Sequence, residues 1–215
     1  MELFVFPKWV NRLRPLIAVI LVGVPCYVVG VFVLGASPRT TDVGYAPVQP
    51  IAYSHTLHVG ELKMDCRYCH TGVEDAAHAS VPPTQTCLNC HARIRAESVQ
   101  LEAVRLSERT GDPVEWVRIH DLPDYAYFDH SAHVRRGVGC VSCHARVDRM
   151  DVVYQAELLT MGWCLDCHRN PRPHLRPLSR ITDLGWTAAD ATEGERALLA
   201  DWQVAPSEDC STCHR

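Results

Sequence analysis

The sequence contains five copies of the motif Cys-x-x-Cys-His within 215 residues. Ten of the eleven cysteines belong to these motifs. Two sulfurs three residues apart can bond the two vinyl groups on one haem edge, while the adjacent imidazole reaches the iron. We therefore expect five covalently attached haem c groups. The predicted attachment residues are Cys66, Cys69, Cys87, Cys90, Cys140, Cys143, Cys164, Cys167, Cys210 and Cys213, and the predicted proximal iron ligands are His70, His91, His144, His168 and His214.

Other uses of paired cysteines do not explain the histidines. A disulfide framework needs no histidine directly after every second cysteine. Zinc fingers separate their cysteine and histidine pairs by about a dozen residues or more. Thioredoxin-like redox pairs occur singly near a βαβ pattern, and no such pattern is visible here. Haem attachment is therefore the best interpretation of the motifs.

Seven histidines lie outside the motifs, and five irons would need five distal ligands. The predicted distal ligands come from His55, His58, His120, His130, His133 and His174, while His78 is more typical of a surface residue. Met64, Met150 and Met161 remain open as sulfur ligands, although methionine more often serves packing. If every iron is six-coordinate, none can bind a substrate, so we expect an electron carrier that is not an enzyme by itself. A multihaem reductase would instead need an open iron.

The chain after residue 50 repeats itself with a period of about 75 residues. Each unit begins with a His-x-x-His pair, has an aromatic residue two positions before it (Tyr53 or Phe128), and continues into two haem motifs. The sequence therefore predicts a first dihaem module at residues 51–110, a second at 111–180, and a C-terminal segment at 181–215 that carries the fifth haem. With about 36 residues per haem, the porphyrins must form most of the core and lie close together.

Regular secondary structure is sparse in the predicted haem domain. An amphipathic pattern predicts one helix over residues 92–109, ended by the breakers of residues 110–113. A second helix is expected over residues 193–202, where Thr192 and Glu195 have capping-box spacing. No run alternates long enough to predict a sheet. The expected fold class is mostly α and irregular, a multihaem cytochrome c with one N-terminal transmembrane helix.

Residues 16–36 contain no charged side chain and would extend about 31 Å as a helix, which matches a bilayer core. Lys8, Arg12 and Arg14 precede this stretch, so the positive-inside rule predicts a cytoplasmic N-terminus at residues 1–15. Residues 37–50 would form a linker to a periplasmic haem domain at the bacterial inner membrane. A cleaved signal peptide is the alternative, but the apolar stretch is longer than a typical signal core.

Charge excludes one class of partner. The formal net charge is −4, and haem propionates would add further negative charge. The chain therefore offers no basic surface typical of nucleic-acid binding. Some arginines, including Arg135, Arg136, Arg172 and Arg176, could pair with propionates or form an ordinary solvated face.

The His-x-x-His pairs before haem motifs resemble those of the small class III cytochromes. By this resemblance, the first histidine of each pair serves its own module's haem, so that His55 would serve the haem of Cys66 and His130 that of Cys140. His58 and His133 would then reach neighbouring haems. Residues 117–124, 127–133 and 161–169 are similar to the pentahaem cytochrome subunit of alternative complex III, a similarity that covers roughly residues 50–180.

The second resemblance implies a subunit of a membrane-bound quinol:electron-acceptor oxidoreductase. Its implied partners are an iron-sulfur subunit, polytopic quinol-binding membrane subunits and a monohaem cytochrome. The implied electron acceptor is a cytochrome c, a high-potential iron-sulfur protein or a terminal oxidase. The alternative is a single-helix multihaem quinol dehydrogenase that binds quinol itself and feeds a periplasmic reductase.

Overall fold

The computed structural model describes residues 6–35, 37 and 41–214, and it divides into two units, Met1–Asp42 and Val43–Arg215. In the first unit, a 3₁₀ turn at Lys8–Arg12 leads into helix α1, Leu13–Gly35. Within Lys8–Gly35, an 18-residue segment has a mean hydropathy of 2.7 and no buried residue, so the length and composition of this helix suit a membrane span. Of the predicted elements, residue 36 of the span, residues 1–5 of the N-terminus and residues 38–40 of the linker lie outside the described residues.

The second unit consists of short helices joined by irregular chain. Besides several 3₁₀ turns it has a π-helical turn at Thr56–Glu61. Among the described residues there is no strand, and the only β-bridges are the isolated pairs Ala126–His214 and Val138–Leu175. The predicted fold class is therefore confirmed. The helices are α2 (Cys66–Cys69), α3 (Thr84–His91), α4 (Glu102–Thr110), α5 (His130–Val134), α6 (Val141–His144), α7 (Met161–Arg169), α8 (Glu193–Asp201) and α9 (Cys210–Cys213).

Each of the five Cys-x-x-Cys-His motifs lies on a short helix, namely α2, α3, α6, α7 or α9. Residues three apart on a helix share one face, so the side chains of both cysteines of a motif point to the same side of the helix. In four motifs the histidine is the last residue of the helix or directly follows it, and in α7 the histidine is the penultimate residue. This local structure is what attachment to one haem edge requires.

The helix predicted over residues 92–109 is wrong at its start. The chain turns after α3, with Ile94 N–H donating to the Cys90 carbonyl and Arg95 at a φ of 53°, and α4 begins only at Glu102. Of its apolar stripe, Val104 is buried whereas Val99 is 87% exposed. An interior position with positive φ interrupts an α-helix, which explains the late start.

The predicted C-terminal helix is confirmed. Helix α8 begins after Thr192, whose hydroxyl accepts from the Glu195 N–H, while the Glu195 carboxylate accepts from the Thr192 N–H. This capping box satisfies two of the backbone donors at the helix start.

The apolar core of the second unit is small. Among the residues that the structure describes, nine apolar ones are buried, and Met150 is one of them, which favours a packing role for this methionine. Such a core is meagre for a unit of this length, as we expect where porphyrins contribute much of the buried surface. The nine are Ile51, Val104, Val134, Met150, Leu175, Ile181, Leu184, Trp186 and Ala191.

Candidate haem-binding site

All eleven cysteines, including the ten motif cysteines, are free thiols in the described chain. The thiols of Cys66 and Cys140 are close enough for each to shift the pKa of the other, so the first and third motifs approach each other at their attachment residues. Within the described residues, no three His, Cys, Asp or Glu side chains form a group that could hold a metal ion by themselves. The ten motif thiols are therefore available for thioether bonds, and no zinc-like cluster engages them.

Four of the five motif histidines are oriented by a backbone carbonyl. A carbonyl oxygen only accepts, so the Nδ1 atom of each ring must carry the proton, and Nε2 keeps the lone pair that an iron requires. This is the ring arrangement expected of proximal haem ligands. The Nδ1–O distances are 2.8 Å from His70 to Ser80, 2.9 Å from His91 to Ile94, 2.7 Å from His168 to Ser207 and 3.0 Å from His214 to Tyr125.

The fifth motif histidine, His144, is partly buried. Burial, followed by the nearby imidazoles of His120 and His130, lowers its pKa to about 3. A neutral imidazole is the form that binds a metal. Its surroundings therefore keep His144 in the ligating state at neutral pH.

The first histidine cluster consists of Tyr53, His55 and His58. The Tyr53 ring packs edge-on against His55, with centroids 4.8 Å apart at 83°, and stacks on His58 at 4.4 Å and 21°. The Ser54 carbonyl accepts from His58 Nδ1 at 2.9 Å, and the Ser54 hydroxyl accepts from the Leu57 N–H. Ser54 thus fixes both the local turn and the His58 ring.

The second histidine cluster consists of Phe128, His130 and His133, and it has nearly the same geometry. The Phe128 ring lies edge-on to His130 at 4.8 Å and 86° and packs on His133 at 4.4 Å and 30°. The Asp129 carbonyl accepts from His133 Nδ1 at 2.7 Å, and the Asp129 carboxylate caps α5 by accepting from the Ala132 N–H. The sequence repeat therefore corresponds to a structural repeat.

Three imidazole pairs have the spacing of two axial ligands of one iron. A bond from a metal to an imidazole nitrogen is about 2 Å long, so two rings on opposite sides of an iron have centroids about 6 Å apart. The observed centroid distances are 6.1 Å for His58 and His91, 6.4 Å for His130 and His144, and 6.1 Å for His133 and His168. The residues present therefore fit bis-histidine haem iron.

Two further histidines have buried ring nitrogens without a partner. These orphaned atoms are His55 Nδ1 and His120 Nε2. Burial, followed by the nearby His70 and His58, lowers the pKa of His55 to about 4. Burial also lowers the pKa of His120, whose ring lies edge-on against His144 at 4.5 Å. A buried nitrogen that lacks a protein partner is suited to a ligand the protein chain does not supply.

The other candidates are placed less specifically. The His174 carbonyl accepts from the Gly139 N–H, but among the described residues no ring contact joins His174 or His78 to a motif histidine. Met161 is 66% exposed. Arg135 forms an ion pair with Asp75 at 2.5 Å, so it is already engaged by protein.

Sequence reasoning missed three supporting features. Ser54 and Asp129 are typical capping residues directly before each His-x-x-His pair, which is a signal that the sequence does contain. Asp65 caps α2 and binds Arg67, whose guanidinium lowers the Asp65 pKa to about 2. Arg176 is buried rather than solvated, and no sequence pattern marks it.

Two similarities to known proteins indicate a multihaem cytochrome c. Residues 126–215 match the family described as cytochrome c7 and related cytochrome c. The chain is also 30% identical over 146 residues to the multihaem cytochrome c subunit of menaquinone reductase from Nitratidesulfovibrio vulgaris, an alignment that covers 57% of this chain and 68% of that protein. The chain therefore belongs to the family of multihaem c-type cytochromes that includes this subunit.

Proposed function

We propose that the chain is a membrane-anchored cytochrome with five haem c groups that relays electrons from quinol oxidation to a periplasmic acceptor. The observation that carries the proposal is the set of three imidazole pairs at axial spacing, each with one motif histidine. Haem c, when bound, supplies one-electron redox chemistry. Irons with two histidine ligands have no open position, so the role is electron transfer without a reaction of its own.

The proposed ligand pairs follow from these positions. His58 and His91 would hold the second iron, His130 and His144 the third, and His133 and His168 the fourth. We assign His55 to the first iron, opposite His70, because the two imidazoles are close enough to affect each other's charge. His120 and His174 remain as candidates for the position opposite His214.

We further propose that the haems are arranged in the order second, first, third, fourth, fifth. Asn89 of the second motif donates to the Tyr68 hydroxyl of the first at 3.0 Å. Cys66 of the first motif and Cys140 of the third are close enough for each to shift the pKa of the other. The same junction is bridged by the segment 181–182, where the Ile181 carbonyl accepts from the Cys140 N–H and the Thr182 hydroxyl donates to Asp65.

The remaining links in this order run toward the C-terminus. His130 and His133 lie on the same helix, α5, so their two irons are neighbours. His168 Nδ1 donates to the Ser207 carbonyl, and Arg169 pairs with Glu208 at 3.0 Å, directly before the fifth motif. These contacts support two dihaem modules at residues 51–110 and 111–180, with the fifth haem on residues 181–215. The relay would then have its ends at the second and fifth haems.

The wider setting is proposed from the helix and the relative. The apolar helix would anchor the chain in the bacterial inner membrane with its N-terminus cytoplasmic and its haem domain periplasmic. The relative's description as part of menaquinone reductase supports a quinone-linked complex. We place the chain in an assembly like alternative complex III, with an iron-sulfur subunit, polytopic quinol-binding subunits and a monohaem cytochrome. Its acceptor would be a cytochrome c, a high-potential iron-sulfur protein or an oxidase.

Purification in mild detergent tests this function. We expect the chain to co-purify with a large assembly, and its haems to be reduced by a menaquinol analogue in that assembly but not in the isolated chain. As a control, absorbance must show that the isolated chain keeps its full haem content, so that a failure to be reduced is not caused by loss of haem. If the isolated chain oxidises quinol at the rate of the assembly, the proposal is wrong, and the chain is a single-helix quinol dehydrogenase.

A further inference from the structure

Arg176 is a buried cation beside the third haem motif. Its side chain is only 6% exposed, and its guanidinium lies over the Trp186 ring, 5.3 Å from the centroid. Arg176 Nη1 donates to the Asp183 backbone carbonyl at 2.8 Å, whereas Nε is buried and has no hydrogen-bond partner. The partner found for the guanidinium is thus a neutral dipole and not an anion.

No carboxylate neutralises this charge within ion-pair distance in the described part of the chain. Asp183 is the nearest acid on the same segment, but its carboxylate accepts from the Gly185 N–H and lies 3.6 Å from Arg180. Burial lowers the pKa of Arg176, yet a guanidinium stays protonated at neutral pH. Arg176 therefore places one largely uncompensated positive charge in a low-dielectric environment.

The position of this charge is fixed by close packing against the third motif. The Arg176 N–H donates to the Gly137 carbonyl at 2.8 Å, and the adjacent residue Leu175 forms a β-bridge with Val138. A Cβ at residue 139 would overlap the guanidinium, so a glycine directly before Cys140 is what admits it. The charge lies beside the residue that attaches the third haem.

The arginines at two other motifs have acidic partners and are exposed to solvent. Arg67, inside the first motif, is paired with Asp65 at 2.9 Å and with Glu74 at 3.2 Å. Arg169, directly after the fourth motif, is paired with Glu208. Both side chains are also exposed, at 42% and 58%, so solvent and carboxylates screen their charges. Of Arg67, Arg169 and Arg176, only Arg176 is buried and has no acidic partner.

We propose that Arg176 is a tuning residue that raises the reduction potential of the haem attached at Cys140 and Cys143. Reduction adds one electron, taken from a neighbouring reduced haem that becomes ferric, and no bond forms or breaks. A fixed positive charge nearby stabilises the added electron, and burial prevents solvent from screening it. The inference rests on the proposed haem attachment. It gives the middle haem of the relay a raised reduction potential, so that an electron is more stable there.

The test is a redox titration of the purified holo-protein, followed by absorbance and electron paramagnetic resonance. Arg176→Met removes the charge and keeps much of the side-chain volume. We expect one of the five components to move to lower potential, so that at a fixed potential its ratio of reduced to oxidised haem falls at least tenfold. For a one-electron couple, this change corresponds to about 59 mV. Arg176→Lys, which keeps the charge, should restore most of the potential.

Matched variants separate charge from structure. Arg169→Met removes a paired and exposed cation and should leave all five components nearly unchanged. Arg176→Gln is the second neutral variant, and it should repeat the shift if Arg176→Met folds poorly. Five components that keep their potentials in both neutral variants would overturn the tuning role. A wild-type protein without a haem on the third motif, read from its mass, would instead overturn the proposed attachment.

Discussion

The two histidine clusters achieve the same ring geometry on different backbones. The first lies on the π-helical turn Thr56–Glu61, and the second lies on the α-helix His130–Val134. Their aromatic rings nevertheless contact both histidines at the same two centroid distances, 4.8 and 4.4 Å. The positions of the imidazole rings are thus the same in the two clusters, although the type of helix differs.

The clusters differ in how their first histidine is held. His130 Nδ1 donates to the Ala77 carbonyl at 2.8 Å, whereas His55 Nδ1 is buried without a partner. The Ala77 carbonyl belongs to the loop after the first motif, so a residue of the first predicted module orients a proposed ligand of the second. A ring held by a carbonyl has a fixed tautomer, and His55 lacks this constraint.

The largest expected effect comes from removing the second histidine of each cluster. His58→Ala should convert the second haem, and His133→Ala the fourth, from low spin to high spin because each iron loses one axial ligand. Electron paramagnetic resonance should then show one high-spin haem in each variant and two in the double variant. His78→Ala is the control and should remain entirely low spin. A fully low-spin His58→Ala protein would contradict the ligand assignment.

Removing the capping residue of the second cluster should have a smaller effect. Asp129→Ala removes the carboxylate that caps α5, so thermal unfolding should shift to a temperature about 2 °C lower. Asp129→Ser gives the second cluster the capping residue of the first and should recover most of the loss. The measurement is calorimetry of the holo-protein at neutral pH. An Asp129→Ser protein as unstable as Asp129→Ala would show that the two caps are not equivalent.

Acid should lower the stability of the folded chain because the Asp65 carboxylate at the first motif becomes protonated. Its pKa is lowered to about 2 in the folded chain, below the value of about 3.9 for an unfolded aspartate, so its contribution to stability is present above about pH 4. This contribution should be lost as the pH falls from about 4 to about 2, and solvent exposure keeps it small. Denaturant unfolding at several pH values measures it. Asp65→Asn should flatten this part of the profile, and an unchanged profile would contradict the assignment.

The smallest effect is expected from exchanging the aromatic residues. Tyr53→Phe makes the first cluster resemble the second and keeps the ring that stacks on His58. The free energy of unfolding should change by less than about 1 kcal/mol, with no change of spin state. Tyr53→Ala, which removes the ring, is the contrasting variant. A high-spin signal in Tyr53→Phe would show that the hydroxyl, and not the ring, positions the ligand.

The sequence predicted the features that depend on local spacing. The paired clusters and the capping box at Thr192 follow from residues within a few positions of one another, whereas the short helices at the five motifs were not predicted. The late start of α4 was missed because Arg95 adopts a positive φ that an amphipathic pattern does not reveal. The partner of His58 and the burial of Arg176 depend on contacts between distant segments. Such contacts are set by tertiary packing, which a single sequence does not display.

The most direct test of the account is the intact mass of the mature chain purified from its own membrane, combined with removal of one motif. We predict the polypeptide mass plus five haems for the wild type. The double variant Cys210→Ala and Cys213→Ala should carry four haems, and Cys26→Ala should keep all five. A wild-type chain with fewer than five haems would contradict the proposed relay.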